Sequence, residues 1–268
     1  MTGGTGFIGR VLVERLAATH GAAAVVCLVK ADHDRDRRDA VARFRQLGVR
    51  VIAGDLTDPA VTREPPPPVD IVYHLAANID TAAPLRDLRV NDRGTANLLD
   101  WLAPVLPGVR VMYSSSVAVL DRQGPAPDPL HESSPCAPRT MYGVTKLRGE
   151  RIIASRSSRQ AYTYTILRLG TVYGPGCKAG GLFDRLITLA VTGGALGRLN
   201  WPGRVSVIHV DDVADLLMSL AAHPKAANEV YGAANPDAPT VGELAERVAL
   251  ACGRPRRSVA LPAWAWAL

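Results

Sequence analysis

The stretch MTGGTGFIGRVLVERL (residues 1–16) contains a glycine-rich turn followed directly by an apolar-striped segment. Gly4, Gly6 and Gly9 satisfy the pattern G-x-G-x-x-G, and Gly3, Gly6 and Gly9 satisfy the looser pattern G-x-x-G-x-x-G. Glycines at these spacings permit a tight turn, let the backbone approach a pyrophosphate and let a helix pack closely. The turn therefore predicts a dinucleotide-binding loop.

The segment after the turn has apolar residues at helical spacing, namely Ile8, Leu12 and Leu16. It predicts a helix whose first N–H groups would face a phosphate. A turn of this kind normally follows a central strand, yet almost no residues precede it here. At the other end, LPAWAWAL (residues 261–268) reads as the start of a helix. We therefore expect the first strand to be missing and the native protein to extend beyond both ends.

The composition is that of a globular protein with one large domain, or one domain and a smaller appendage. The chain has 268 residues, of which 47% are hydrophobic. Its net charge of +6 is carried by dispersed arginines, and with 5% aromatic residues there is no basic stripe of the kind that binds nucleic acid. No apolar run approaches the roughly 18 residues of a membrane span. Four cysteines without C-x-x-C spacing indicate reduced thiols and a cytoplasmic protein.

Apolar runs alternate with amphipathic segments along most of the chain. The predicted strands are residues 22–29, 49–54, 69–77, 109–116 and 162–170, with further strands at 206–210 and 229–234. The predicted helices include residues 39–48, 91–106 and 141–156. Continuous apolar strands with helices between them indicate a doubly wound, parallel α/β sheet of the Rossmann type.

The regular alternation of predicted strands and helices ends near Tyr173, where glycine and proline become frequent. We therefore predict a dinucleotide-binding domain over residues 1–172, to which residues 206–231 return. The remaining segments, 173–205 and 232–268, are predicted to form a small substrate-binding lobe.

Tyr142 and Lys146 are four residues apart in a predicted helix, which places the phenol and the ammonium on one face. A nearby ammonium is expected to lower the pKa of the phenol enough for proton exchange near neutral pH. Ser114, Ser115 and Ser116 end the preceding strand, and one of these hydroxyls could hold a substrate oxygen. Either pattern alone is common by chance, but the two together after a glycine turn predict an active site.

The motifs in this order resemble those of the extended short-chain dehydrogenase/reductase family, also called the NAD-dependent epimerase/dehydratase family. The resemblance runs from Thr2 to about Ala214. The segments that carry it are TGGTGFIG, GDLTD, HLAA, VNDRGTANLL, YSSS, YGVTK, LRLGTVYGPG and IHVDDVA.

The resemblance implies a role for each matching position. Tyr142 would be the acid/base, Lys146 would bind the nicotinamide ribose and lower the pKa of the tyrosine, and Ser116 would polarise the substrate oxygen. Asn91 would begin a helix that backs this site, and residues 168–175 would position the nicotinamide amide. The cofactor-binding set would be Gly3, Thr5, Gly6, Phe7, Ile8 and Gly9 at the pyrophosphate, Asp55 and Leu56 at the adenine, and Leu75, Ala76 and Ala77 near the ribose. The family also suggests a homodimer.

The end of the second expected strand departs from the pattern of an NAD site, which has an acidic residue there. This chain has Lys30, which suits a 2′-phosphate, with Arg35, Arg37 or Arg38 as helpers, so the sequence favours NADP over NAD. If the strand ends later, Asp32 or Asp34 would occupy this position, and either could bind the ribose hydroxyls of NAD.

The substrate is a small molecule whose class the sequence leaves open. Thr171 stands where sugar-nucleotide members commonly have Asn, although Arg204 could still meet a phosphate. Leu182, Phe183, Leu186 and Trp201 would equally suit a hydrophobic alcohol or ketone. The leading prediction is an oxidoreductase acting on a secondary alcohol or ketone carbon. A sugar-nucleotide epimerase or dehydratase, and a non-catalytic NADP-binding sensor or structural subunit, are the alternatives. No metal site is predicted.

Overall fold

The computed structural model describes residues 1–30, 35–120, 131–177, 179–193, 198–254, 258–259 and 261. The strands in this part of the chain are β1 (Val26–Val29), β2 (Arg50–Ala53), β3 (Ile71–His74), β4 (Arg110–Ser116), β5 (Thr163–Leu169), β6 (Thr171–Tyr173), β7 (Val207–His209) and β8 (Glu229–Ala233). The helices are α1 (Phe7–His20), α2 (Arg35–Leu47), α3 (Leu85–Leu88), α4 (Arg93–Leu102), α5 (Met141–Gln160), α6 (Leu182–Thr192), α7 (Val210–Ala222) and α8 (Val241–Ala251).

The predicted α/β fold with a parallel sheet is confirmed. Strand β1 pairs with β2, and β3, β4, β5 and β8 pair in that order, with every pairing parallel. Strands β1, β3, β4 and β5 are buried along most of their length because helices cover the sheet, and this explains their continuous apolar runs. The predicted strand 22–29 begins only at Val26, because Ala22–Ala24 form a 3-10 turn after Gly21, whose φ is +84°.

Met1 and Thr2 occupy the position between β1 and β3, where the first strand was expected. Thr2 forms parallel bridges to Leu28 on one side and to His74 on the other. The Leu28 N–H donates to Met1 O at 2.8 Å, and the Thr2 N–H donates to Tyr73 O at 2.9 Å. These backbone hydrogen bonds join β1 and β3 through two residues.

A buried histidine reinforces this junction. The His74 side chain, 1% exposed, lies 2.7 Å from Thr2 Oγ1 through Nδ1 and 2.9 Å from Thr95 Oγ1 through Nε2. Because the Thr95 hydroxyl donates to Asn91 O at 2.8 Å, it accepts from Nε2, and Nδ1 accepts from Thr2. Burial lowers the pKa of His74 to about 3, so the ring stays neutral.

The chain divides into two compact units. The larger comprises Met1–Leu169 and Asp211–Ala233, and its main core packs residues of the sheet against α4 and α5, including Ile52, Leu98, Val111 and Ile153. The smaller comprises Gly170–Val210 and Ala234–Leu268. Residues 206–210, assigned to the larger domain from the sequence, fall in the smaller unit because β7 pairs with β6.

The smaller unit has its own apolar core. Leu186 on α6 packs with Val207, Leu244 and Ala245, and Leu182 and Phe183 pack against this cluster. Phe183 stacks on Tyr173 with ring centroids 4.7 Å apart. Three of the residues considered for a hydrophobic substrate therefore support the core of this unit, whereas Trp201 is 37% exposed.

None of the helices in the described ranges has the length and apolar character needed to cross a membrane.

The substitution Thr2→Val is expected to lower the free energy of unfolding by about 1–3 kcal/mol, since it leaves Nδ1 of buried His74 without a donor. The same exchange at exposed Thr192 should stay within about 0.5 kcal/mol of the wild-type value. Urea unfolding of both variants measures the difference, and equal stabilities would show that the Thr2 hydroxyl does not secure the junction.

Candidate active site

The glycine turn lies against the residues that follow β3. Gly3 has φ +73°, and a Cβ atom there would meet Ala76 N at 2.5 Å. A Cβ atom on Gly9 would overlap Gly3 O and Gly4 Cα, so α1 sits too close to the turn for any side chain. Gly6 is exposed, and a Cβ atom there would meet only Gly3 O at 3.2 Å. The turn is thus packed on its inner side and open at Gly6.

The N-terminus of α1 fits the pyrophosphate that the sequence predicts. Gly6 is its N-cap and provides no capping side chain, and no acidic residue lies in the first turn, which contains Phe7 and Ile8. The first N–H groups of a 14-residue helix therefore meet no negative side chain of their own helix. Such an end, next to a glycine turn with an open side, suits an anion.

Lys30 follows β1 directly and forms an ion pair with Asp55, with Nζ 2.9 Å from Oδ2. The other oxygen of Asp55 accepts from the backbone N–H and the hydroxyl of Thr57, at 2.9 and 2.7 Å. These hydrogen bonds and Lys30 outweigh the effect of burial and hold the pKa of Asp55 below its usual value. The structure thus places together two residues that were assigned separately to the 2′-phosphate and the adenine. Asp32 and Asp34 lie outside the described residues.

Arg10 is a neighbouring cation that the sequence analysis missed. Its guanidinium donates to Thr5 O and to Asp36 O, both at 2.9 Å, and so links the glycine turn to the start of α2. Its position immediately after the last glycine of the motif could have indicated that it lies beside the glycine turn. Arg37 and Arg38, named as helpers of Lys30, have partners of their own.

The remaining predicted cofactor residues lie beside the turn or in the core. The Leu75 N–H donates to Thr2 O at 3.1 Å and the Ala76 N–H to Thr2 Oγ1 at 3.4 Å, so the segment that continues to Ala77 borders the glycine turn. Leu56 is buried in the main core of the larger unit, and its carbonyl accepts from Asn97.

Ser116, Tyr142 and Lys146 come from the end of β4 and the first turns of α5. Helix α5 begins after Thr140, whose hydroxyl caps the Gly143 N–H at 3.0 Å and so sets where the helix starts. Burial raises the pKa of Tyr142, and a hydrogen bond with Ser116 opposes this. Ser116 Oγ also accepts from the Ala118 N–H at 3.2 Å. The phenol and the serine hydroxyl therefore meet, as the motif order predicts.

The pKa of Tyr142 moves in the opposite direction from the one expected from its spacing to Lys146. The lysine side chain is 1% exposed, and its Nζ lies 4.4 Å from the centre of the Tyr113 ring. Burial lowers the pKa of Lys146 to about 7, although Glu150 raises it in part. Burial penalises phenolate and ammonium alike, so the spacing on the helix did not determine the direction.

A buried ion pair near Lys146 was also not predicted from the sequence. Glu150, one turn beyond Lys146, binds Arg168 of β5 at 3.0 Å from Nε and 2.8 Å from Nη2. The Ser115 hydroxyl donates to Glu150 Oε1 at 2.5 Å. The spacing of four from Lys146 to Glu150 was a signal in the sequence, whereas Arg168 could be paired with Glu150 only by the tertiary fold.

Asn91 lies just before α4 begins at Arg93. Its amide accepts from the Asn78 N–H at 2.8 Å and donates to Asn78 O at 2.9 Å and to Thr145 Oγ1 at 3.1 Å. It therefore joins the segment after β3 to α5. In the part of the chain that the structure describes, no cluster of His, Cys, Asp and Glu is suited to a metal ion.

A family model described as the NAD dependent epimerase/dehydratase family matches residues 1–234. The chain belongs to this family. As a member of the epimerase/dehydratase family it is an NAD(P)-dependent enzyme of the epimerase or oxidoreductase type.

Known members of this family resemble the chain over most of its length. It is 27% identical to UDP-glucose 4-epimerase from Vibrio cholerae, over 100% of this chain and 80% of the epimerase. It is 33% identical to D-erythronate dehydrogenase from Cupriavidus necator, over 64% of this chain and 54% of the dehydrogenase. The crystal structure of a dTDP-glucose 4,6-dehydratase double mutant from Streptomyces venezuelae superimposes with a TM-score of 0.79 at 24% identity, covering 97% and 84% of the two chains. At that identity the superposition supports the fold alone.

The substitution Lys146→Met is expected to stabilise the protein more at pH 6 than at pH 9.5. The pKa of Lys146 is about 7 in the folded chain against an ordinary 10.5. Between these values the unfolded chain binds the extra proton, so wild-type stability rises with pH by up to about 1.4 kcal/mol per pH unit from this group. Below pH 7 the folded protein bears the full free-energy cost of burying the charged ammonium of Lys146. This cost decreases as the pH increases.

Urea unfolding at pH 6, 7, 8 and 9.5 tests this expectation, with Lys225→Met as the control because Lys225 is exposed. A stability difference between Lys146→Met and wild type that does not change with pH would contradict it.

Proposed function

We propose that this enzyme transfers a hydride between nicotinamide and a secondary alcohol or ketone carbon, with Tyr142 as the acid/base. The observation that carries the proposal is the contact between the Tyr142 and Ser116 side chains, with the ammonium of Lys146 one helical turn away. Two hydroxyls at the carboxyl end of β4 supply the groups needed to bind a substrate oxygen and to exchange its proton.

The chain's own residues have distinct tasks in this reaction. The Ser116 hydroxyl holds the substrate oxygen, and the Tyr142 phenol gives or takes the proton on that oxygen. The Lys146 ammonium binds the ribose next to the nicotinamide and, by its charge, favours the phenolate. The glycine turn and the start of α1 hold the pyrophosphate. When bound, the nicotinamide supplies or accepts the hydride.

The substitution Tyr142→Phe removes the acidic hydroxyl and keeps the ring. We expect the rate of hydride transfer to fall by about 10²–10⁴, the usual contribution of a general acid/base, while NADPH still binds. The assay follows absorbance at 340 nm with NADP⁺ and a panel of secondary alcohols, including D-erythronate, and calorimetry confirms cofactor binding. Full activity of the variant would exclude the acid/base role of Tyr142.

A sugar-nucleotide epimerase is the second candidate, favoured by the match to UDP-glucose 4-epimerase along the whole chain. An epimerase returns the hydride within one turnover, so it would convert UDP-glucose without a net change at 340 nm. Thr171 in place of Asn weighs against it, as does Arg204, whose guanidinium donates to Ala238 O at 2.7 Å. Chromatographic detection of UDP-galactose formed from UDP-glucose, run beside the 340 nm panel, separates the two candidates.

We further propose that the enzyme prefers NADP. Lys30 is exposed at the end of β1, and Arg10 links the glycine turn to the start of α2, so two cations border the expected site of the adenosine ribose. Binding of a 2′-phosphate would require Lys30 to leave or share Asp55. A phosphate is the stronger partner because it carries up to two charges.

Calorimetric titration should show NADPH binding at least about tenfold more tightly than NADH, which corresponds to one charge-assisted contact. The substitution Lys30→Ala should remove most of that difference and leave NADH binding unchanged. Lys225→Ala, at an exposed lysine of a 3-10 turn, provides the control. Tighter binding of NADH by the wild-type enzyme would overturn the preference.

A further inference from the structure

Glu150 is a buried carboxylate to which the proposed chemistry gives no task. Its side chain and that of Arg168 are 6% and 7% exposed and form a two-pronged ion pair. A buried ion pair adds little stability compared with well-packed apolar residues, because both charges must leave water. A gain in protein stability therefore does not explain why this ion pair is buried, and the contacts around it point to another task.

These contacts link the structural elements that carry the candidate catalytic residues. Glu150 lies on α5 and accepts from Ser115, the residue before Ser116 on β4. Arg168 lies on β5 and donates to Glu132 O at 3.1 Å and to Cys136 Sγ at 3.3 Å, in the segment that leads into α5. One carboxylate thus secures, directly or through Arg168, the surroundings of both catalytic hydroxyls.

The same carboxylate is the counter-charge nearest to Lys146 along α5. No hydrogen bond or ion pair of Lys146 Nζ is present among the described residues, and the ring of Tyr113 covers it from β4. His74 of β3, whose pKa is lowered by burial and by Lys146, is neutral, and Tyr142 on α5 is protonated. Asp92 at the start of α4 is already paired with Arg89 and Arg148, at 3.4 and 3.5 Å.

We propose that Glu150 is a positioning residue of the active site, which keeps the buried Lys146 ammonium charged and holds the end of β4 that presents Ser116. Arg168 and Ser115 orient the carboxylate for this task. The proposal rests on the assignment of Ser116, Tyr142 and Lys146 as the site, but its first test requires no cofactor or substrate.

The test titrates the lysine side chains directly by NMR in protein labelled with ¹³C,¹⁵N-lysine. The chain has only four lysines, at positions 30, 146, 178 and 225, so Lys→Arg variants assign every signal. In Glu150→Gln the titration midpoint of Lys146 should fall by about one to two pH units, because an opposite charge one helical turn away is lost. In Glu150→Asp, which keeps the charge, at least half of that shift should be restored.

The matched control is Asp100→Asn, which removes another carboxylate paired with an arginine of α5, at 2.7 Å from Arg156 Nη1. It should leave the Lys146 midpoint unchanged. An unchanged midpoint in folded Glu150→Gln would overturn the proposal. If that variant does not fold, Glu150→Gln/Arg168→Gln replaces the pair as a unit, and the Lys146 midpoint must still fall, but by less, because the lost cation offsets part of the lost anion.

A second measurement connects this charge to the proposed cofactor. Calorimetry with NADPH at pH 7 should show about tenfold weaker binding to Glu150→Gln than to wild type, and the loss should shrink at pH 5.5, where Lys146 regains its proton. Equal loss at both pH values would assign Glu150 a structural role alone and overturn the proposal. Failure of wild type to bind NADPH would count against the proposed function, and the lysine titration would then decide the role of Glu150 by itself.

Discussion

Two residues, Met1 and Thr2, hold together the two halves of the larger sheet. Their backbone groups bond to β1 on one side and to β3 on the other, and the Thr2 hydroxyl binds the buried ring of His74. The glycine turn begins at the next residue, so its position follows from this junction. Because Gly3 then lies against Ala76, the glycine turn is placed against the end of β3 by the same contacts.

The candidate site is built on charges that have been removed from water. Lys146 is covered by Tyr113, and Glu150 and Arg168 are buried as a pair. Each burial costs free energy because a charge leaves water. Burial lowers the pKa of Lys146 to about 7, so the charge on this ammonium depends on pH near neutrality. A buried group with a strongly shifted pKa is a candidate for a functional site, and this agrees with the function that we propose.

Two departures from the common family pattern bear on function. Lys30 after β1 replaces the acidic residue typical of NAD sites, and Thr171 replaces the asparagine common in sugar-nucleotide enzymes. In the structure Lys30 is held by Asp55, so a 2′-phosphate would compete with a carboxylate for it. Family membership defines the type of enzyme, and we propose that these two positions contribute to the choice of cofactor and substrate.

Much of the larger unit could be predicted from the sequence, because its signals are local. Strands β2 to β5 and helix α5 follow from apolar runs and spacing, and the glycine motif marks the turn before α1. The strand predicted at residues 22–29 was too long, because Ala22–Ala24 form a 3-10 turn after Gly21 and do not pair in the sheet. Arg10 was missed because its backbone partners lie 5 and 26 residues away.

The sequence alone determined the family, the parallel α/β fold and the order of Ser116, Tyr142 and Lys146. Only the tertiary structure decided the electrostatics of the site. Spacing on a helix brings a phenol and an ammonium to one face, but it does not say how deeply either is buried. The direction of their pKa values, and the pairing of Glu150 with Arg168 across 18 residues, depend on which strands and helices pack around them.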